Sequence, residues 1–143
     1  GCRTPMPWTS GPQRGFTTGR PWLPLAAEHA GLSVAEQEAD PASTLAFARS
    51  ALALRKAHPA LTRGEIEFLD APDPLLAFVR TDGDERILCV FNLGGEARTF
   101  EGPDLKGAAI QLSLGEASLN GPGFSLGPFA GVLTLLSPPA ARR

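Results

Sequence analysis

The side chains that most often carry chemistry are few and scattered in this chain of 143 residues. The two histidines, His29 and His58, stand in no catalytic spacing. There is no G-x-S-x-G elbow for a serine nucleophile, no phosphate loop and no H-E-x-x-H pair for zinc. His58 follows a helical run already closed by Arg55 and Lys56, so a solvated cap is its expected place. His29 lies in an irregular stretch, with only a small claim to a ligand. Asp70, Asp73, Asp82 and Asp84 flank turns between strand-like runs. Their spacing is not that of a calcium loop, and solvated turn residues are the expectation. Gly94 and Gly95 in "NLGGEA" read as a turn rather than a phosphate cradle. Cys2 and Cys89 make neither a disulfide framework nor a zinc site, which suits reduced thiols in a cytoplasmic protein. No metal and no cofactor is expected.

Arg3 is the exception. It sits in "GCRTPMPW", among prolines and a tryptophan. A rigid setting of this kind holds the planar guanidinium in one orientation, which suits a carboxylate or a sugar hydroxyl. A plain surface arginine is the alternative, and pattern alone leaves both open.

The elements that must position these residues fall into two regions. Residues 1–32 show no periodicity, yet carry Trp8, Phe16, Trp22, Leu23 and Leu25 among many Pro and Gly. A flexible linker lacks large apolar groups, so this reads as a long loop packed on a surface. Ser33 and Glu36 fit a capping box for a short helical turn. Asp40-Pro41 then predicts an N-cap and first position of a helix over about 41–57, ended by Pro59. Leu45, Ala48 and Leu52 share one face of it, and Phe47, Ala51 and Leu54 an adjoining one. That arc is wide for a helix lying on one small sheet. From residue 64 the period changes to two. "GEIEFLD", "PLLAFVRT", "ERILCVFNL", "ARTFEG", "GAAIQLSL" and "AGVLTLLSP" predict an antiparallel sandwich of six to eight strands, with a hairpin centred on Asp82-Gly83. The charge changes at the same place. Residues 1–63 hold seven Lys/Arg against four Asp/Glu, and residues 64–143 hold six against eleven. No basic cluster interleaved with aromatics points to nucleic acid. No apolar run approaches the roughly 20 residues of a membrane helix, and no basic segment precedes an apolar one as in a signal peptide.

"GCRTPMPW", "GFTTGRPWLPL" and "STLAFARSALALRKAHPAL" together closely resemble a run in bacterial α-glucosidases of the α-amylase family, glycoside hydrolase family 13. The likeness is to the oligo-1,6-glucosidase, trehalose synthase and sucrose isomerase group. It covers the whole chain in order, with specific motifs in the first 63 residues and "FNL" as an echo in the strand region. The resemblance implies a mainly β fold: an antiparallel β-sandwich C-terminal domain preceded by the last loop and helix of a (β/α)8 barrel. Residues 1–63 would close the catalytic barrel and residues 64–143 would form the C-terminal sandwich. The chain would then begin inside the barrel, just after the Arg-Asp pair usual in the family.

The implied chemistry is retaining hydrolysis of α-glucosidic bonds in small oligosaccharides. An Asp nucleophile and a Glu acid/base work about 5–5.5 Å apart, and in the family they lie upstream of the R-T-P-M-x-W motif. No catalytic residue is therefore carried onto this chain. Arg3 matches the motif arginine and is implied to shape the pocket for the terminal glucose. Trp8 and Phe16 are candidates for lining the outer pocket, with packing of the loop as the alternative for each. The implied partners are the rest of the barrel and an α-glucoside; nucleic acid and membrane are not among them. Trp8, Trp22 and the helix face are expected to lie open when the barrel is absent. The other reading is a non-catalytic carbohydrate-binding or structural sandwich, but both tryptophans lie outside the strand region and tyrosine is absent.

Overall fold

The computed structural model describes residues 3–102 and 105–137, so Cys2 lies outside the described residues. The chain divides into two compact units, residues 1–50 and 51–143. The first is mostly irregular up to α1 (Val34–Ala39). Every backbone donor in the first turn of α1 has an acceptor. Val34 N–H donates to the Pro7 carbonyl and Ala35 N–H to that of Trp8, at 2.9 and 3.1 Å. Glu36 N–H donates to the Ser33 hydroxyl, and the Glu36 carboxylate accepts from the Ser33 N–H, which completes the expected capping box.

The second helix, α2 (Thr44–Ala57), runs across the division between the units. It starts three residues later than the Asp40-Pro41 signal predicts. Asp40 instead closes α1, and its carboxylate accepts from Ala42 N–H, bending the chain into a turn. Ser43 is the real cap: its hydroxyl accepts from Ala46 N–H at 3.1 Å. Gln37 of α1 supplies a second acceptor, to Leu45 N–H. Asp40 is taken by the turn that closes α1, which leaves the cap of α2 to Ser43, a residue the sequence reading did not single out. The helix ends before Pro59 as expected, but that proline also opens α3 (Pro59–Thr62), where its missing donor costs nothing.

The second unit holds eight described strands, all paired antiparallel. β1 (Glu65–Phe68), β2 (Leu75–Asp82), β3 (Glu85–Asn92), β5 (Ala109–Leu114) and β8 (Gly131–Leu135) form one sheet in the order β1-β2-β3-β8-β5. β4 (Arg98–Glu101), β6 (Ala117–Asn120) and β7 (Gly123–Leu126) form a second, ordered β4-β7-β6. The β2–β3 hairpin turns on Gly83-Asp84, one residue beyond the expected centre. Asp82 still pairs with Glu85, and Gly83 takes the positive φ of 60°. The β6–β7 hairpin was not among the predicted strands, because its two short strands are broken by Gly121-Pro122.

Strand alternation explains the core. Ala77 and Val79 of β2, Leu88 and Val90 of β3, and Val132 of β8 meet Phe100 of β4 and Phe124 and Leu126 of β7. The mainly β sandwich expected from the sequence is therefore present. The two sheets differ on their outer faces. The three-stranded sheet turns Thr99, Ser118, Ser125 and Asn120 outward, and Asn120 bonds both serine hydroxyls. The five-stranded sheet turns Phe68, Phe78 and Phe91 outward, with successive ring centroids 5.9 and 6.1 Å apart. α3 covers part of that face, burying Ala60 with Ile87 and Cys89, but Phe68 stays 66% exposed.

Candidate functional site

The loop that carries Arg3, Trp8 and Phe16 is held by its backbone, which leaves those side chains outside. Trp8 uses both main-chain groups: its carbonyl accepts from Ala35 of α1, and its N–H donates to Arg14 O at 2.9 Å. Arg14 O also accepts from Thr9 N–H, and Phe16 N–H donates to Gln13 O. A tight turn over Pro12–Gly15 thus ties the Trp8 backbone to the segment that leads into Phe16. Trp8 is 50% exposed and Phe16 44%. Arg3 precedes the turn by several residues. It is exposed, and its guanidinium bonds no described residue.

The turn departs from ordinary backbone geometry. Gln13 (φ 51°, ψ 24°) and Arg14 (φ 55°, ψ 25°) are both left-handed, and Gly15 follows at φ 68°. Each non-glycine residue in that region costs about 1 kcal/mol or more. The bonds to Arg14 O and the Arg14 N–H to Gly11 O bond hold it there. Nothing in "GPQRGF" beyond its Gly and Pro marked the turn. Arg14 also reaches α1 through its charge. The Ser33 hydroxyl and then the Ser33 N–H hold the Glu36 carboxyl below the ordinary glutamate value, against burial, and Arg14 adds to the lowering.

His58 is not a solvated cap. Its Nδ1 lies 2.7 Å from Glu85 Oε1, and its side chain is largely buried. Glu85 Oε2 accepts from Ala60 N–H at 2.8 Å. Burial pushes the Glu85 carboxyl up, but the Ala60 and His58 bonds outweigh it and leave the group below its usual value. Arg63 Nε bonds Asp82 at 2.9 Å, and Arg80 donates to Gly64 O at 2.7 Å. These contacts fasten residues 58–64 onto the β2–β3 hairpin, so they serve packing rather than catalysis. Cys89 is buried, which pushes its thiol up to about 12 and leaves it without a reactive thiolate. Among the described residues no three His, Cys, Asp or Glu side chains converge on a point that could hold a metal, and no helix is long and apolar enough to cross a membrane. A depression of about 620 Å³ lies against the three-stranded sheet, beside Arg98, Thr99, Glu116, Ser118 and Ser125, and no aromatic ring lines it.

The loop and helices fall in residues 1–64, which match the family described as alpha amylase, catalytic domain. Residues 66–130 match the maltogenic amylase C-terminal domain. The chain belongs to the α-amylase family. A probable α-glucosidase of Rhizobium meliloti (strain 1021) is 52% identical over 103 residues, covering 72% of this chain and 19% of that protein. A probable oligo-1,6-glucosidase of Bacillus subtilis (strain 168) is 36% identical over 114 residues, covering 79% of this chain and 20% of that protein. The crystal structure of the α-glucosyl transfer enzyme XgtA superposes with a TM-score of 0.80 at 37% identity, over 95% of this chain and 26% of that one. The trehalulose synthase MutB gives 0.83 at 27% identity, over 94% and 25%. The chain thus spans about a fifth of the length of these curated relatives. Within the family, the loop and α1–α3 fall under the catalytic-domain match and β1–β7 under the C-terminal one.

Proposed function

We propose that this chain contributes the end of the barrel (residues 1–63) and the C-terminal sandwich (residues 64–143) to a retaining, exo-acting α-glucosidase. Its substrates are small α-linked oligosaccharides. The Asp nucleophile and Glu acid/base that such chemistry needs, about 5–5.5 Å apart, come from residues outside this chain. The observation that carries the reading is α2: all 14 of its residues lack full burial, and Leu52 is 67% exposed. A helix with so wide an apolar arc is built to be covered, and residues 1–64 match a catalytic domain.

In this reading Arg3 orients the terminal glucose. Its planar guanidinium offers several donors on a segment whose Pro7 and Trp8 carbonyls accept from α1, and small misplacements of a substrate cost rate steeply. Trp8 and Phe16 border the outer pocket. We assign the sandwich a structural role: no aromatic ring lines the depression on its polar three-stranded sheet, and the rings turned outward on the five-stranded sheet are phenylalanines with no polar group to hold a sugar. The two thiols, with Cys89 unreactive, fit a cytoplasmic enzyme. The test is Arg3→Ala and Arg3→Lys in the longer product of the same reading frame. Both are expected to lower kcat/KM for α-glucosides at least tenfold with an unchanged melting temperature, since lysine lacks the planar fork. Unchanged kcat/KM in both variants would remove Arg3 from the pocket.

A further inference from the structure

We infer that Trp22, with Arg20 and Gln13, forms a subsite for an outer glucosyl unit of an α-linked oligosaccharide; this rests on the α-glucosidase reading. Trp22 is 78% exposed, the most exposed large apolar side chain among the described residues. It lines a concavity of about 530 Å³ together with Gln13, Arg20 and Leu23, a volume in the range of small-ligand sites. Pro21 and Pro24 flank it and fix the local φ. An indole on so stiff a segment offers a flat face with little entropy left to lose. Such a face takes the C–H side of a pyranose ring, while the ring's hydroxyls need polar partners at the edge. Gln13 and Arg20 supply them. Neither side chain bonds any described residue, and Gln13 is placed by the left-handed turn rather than by chance of a mobile loop. Backbone strain of this kind persists where the surroundings over-determine it, and it clusters at ligand sites.

The competing occupant is protein from the remaining barrel. Any covering must give the Arg20 guanidinium polar partners, because burying it unpaired is costly. Sugar hydroxyls supply such partners beside an open indole face, whereas barrel protein packed on Trp22 is the outcome that the second arm of the test below detects.

The experiment is an NMR titration of the 143-residue chain, read at the Trp22 and Trp8 indole N–H signals, with isomaltotriose, maltotriose and β-linked cellotriose as probes. A saturable Trp22 shift with the α-linked sugars is expected. It should weaken roughly tenfold in Arg20→Ala and persist in Trp22→Phe, read there by backbone amides. No Trp22 shift, an equal response to cellotriose, or an unaffected Arg20→Ala variant overturns the inference. A second arm uses the longer enzyme. There Trp22→Ala is expected to lower kcat/KM for isomaltotriose about tenfold more than for p-nitrophenyl α-glucoside. An equal fall for both substrates, or a lowered melting temperature alone, shows that Trp22 packs against protein and overturns the inference. Absence of α-glucosidase turnover in the wild-type enzyme contradicts the functional reading alone, and leaves the titration to decide the subsite.

Discussion

Replacing Asn92 by Ala tests how the sandwich is held together. Asn92 ends β3 in the five-stranded sheet and is 1% exposed. Its Nδ2 donates to Glu96 O at 2.7 Å and to Gly127 O at 2.8 Å, and its Oδ1 accepts from Gly94 N–H at 3.0 Å. Glu96 leads into β4 and Gly127 follows β7, whose neighbouring residues Arg98 and Leu126 pair, so one carboxamide ties the first sheet to two adjacent strands at one end of the second. Alanine removes all three bonds and strands their partners. The Gly127 carbonyl is the most buried of these and costs about 1–3 kcal/mol; the other two, nearer water, cost about 0.5–1.5 kcal/mol each. The expected loss is about 3–4 kcal/mol, a large share of the ~5–15 kcal/mol that folded domains possess. Urea unfolding followed by circular dichroism measures it as a lower midpoint at constant slope. Asn92→Asp should cost at least as much, because it loses both donated bonds and buries a charge. A loss below about 1 kcal/mol for alanine would refute the assignment of Asn92 as the tie between the sheets.

Two further perturbations probe the other fastened segments. Because the Glu85 carboxyl lies below its ordinary value, its contribution is fully present above the unfolded value and is lost as pH falls through the folded one. Wild-type stability should therefore drop in that acid window, and Glu85→Gln should flatten the drop in chemical-denaturation curves across pH; an identical pH profile would count against the clamp on His58 and Ala60. Gly15→Ala places a methyl group 2.8 Å from Thr9 Oγ1 at a φ of 68°, displacing the hydroxyl that accepts from Gly11 N–H. At about 1–2 kcal/mol of local strain, it should speed amide exchange at Trp8 and Thr9 and leave the strands of the sandwich unaffected.

The sequence already showed the parts of this fold that are periodic. The alternation in "PLLAFVRT" and "ERILCVFNL" is visible because Ala77, Val79, Leu88 and Val90 face one core while Phe78 and Phe91 face the other side. The Ser33–Glu36 box is visible because both partners lie within one turn. What stayed hidden depends on distant partners. His58 meets Glu85 across 27 positions, and Asn92 meets Gly127 across 35. The left-handed Gln13 and Arg14 carry no residue signal, because backbone bonds from Arg14 to Trp8, Thr9 and Gly11, rather than side-chain type, hold the turn. The role proposed for Arg3 rests on motif resemblance, and its open position in the structure gives no local reason for it.

The most direct test of the central claim is turnover of p-nitrophenyl α-glucoside, measured side by side for the rigorously purified 143-residue chain and for the longer product of its reading frame. The account predicts no turnover by the chain and retaining hydrolysis by the longer protein. Turnover by the chain alone, or a longer protein that folds and leaves α-glucosides intact, would contradict it.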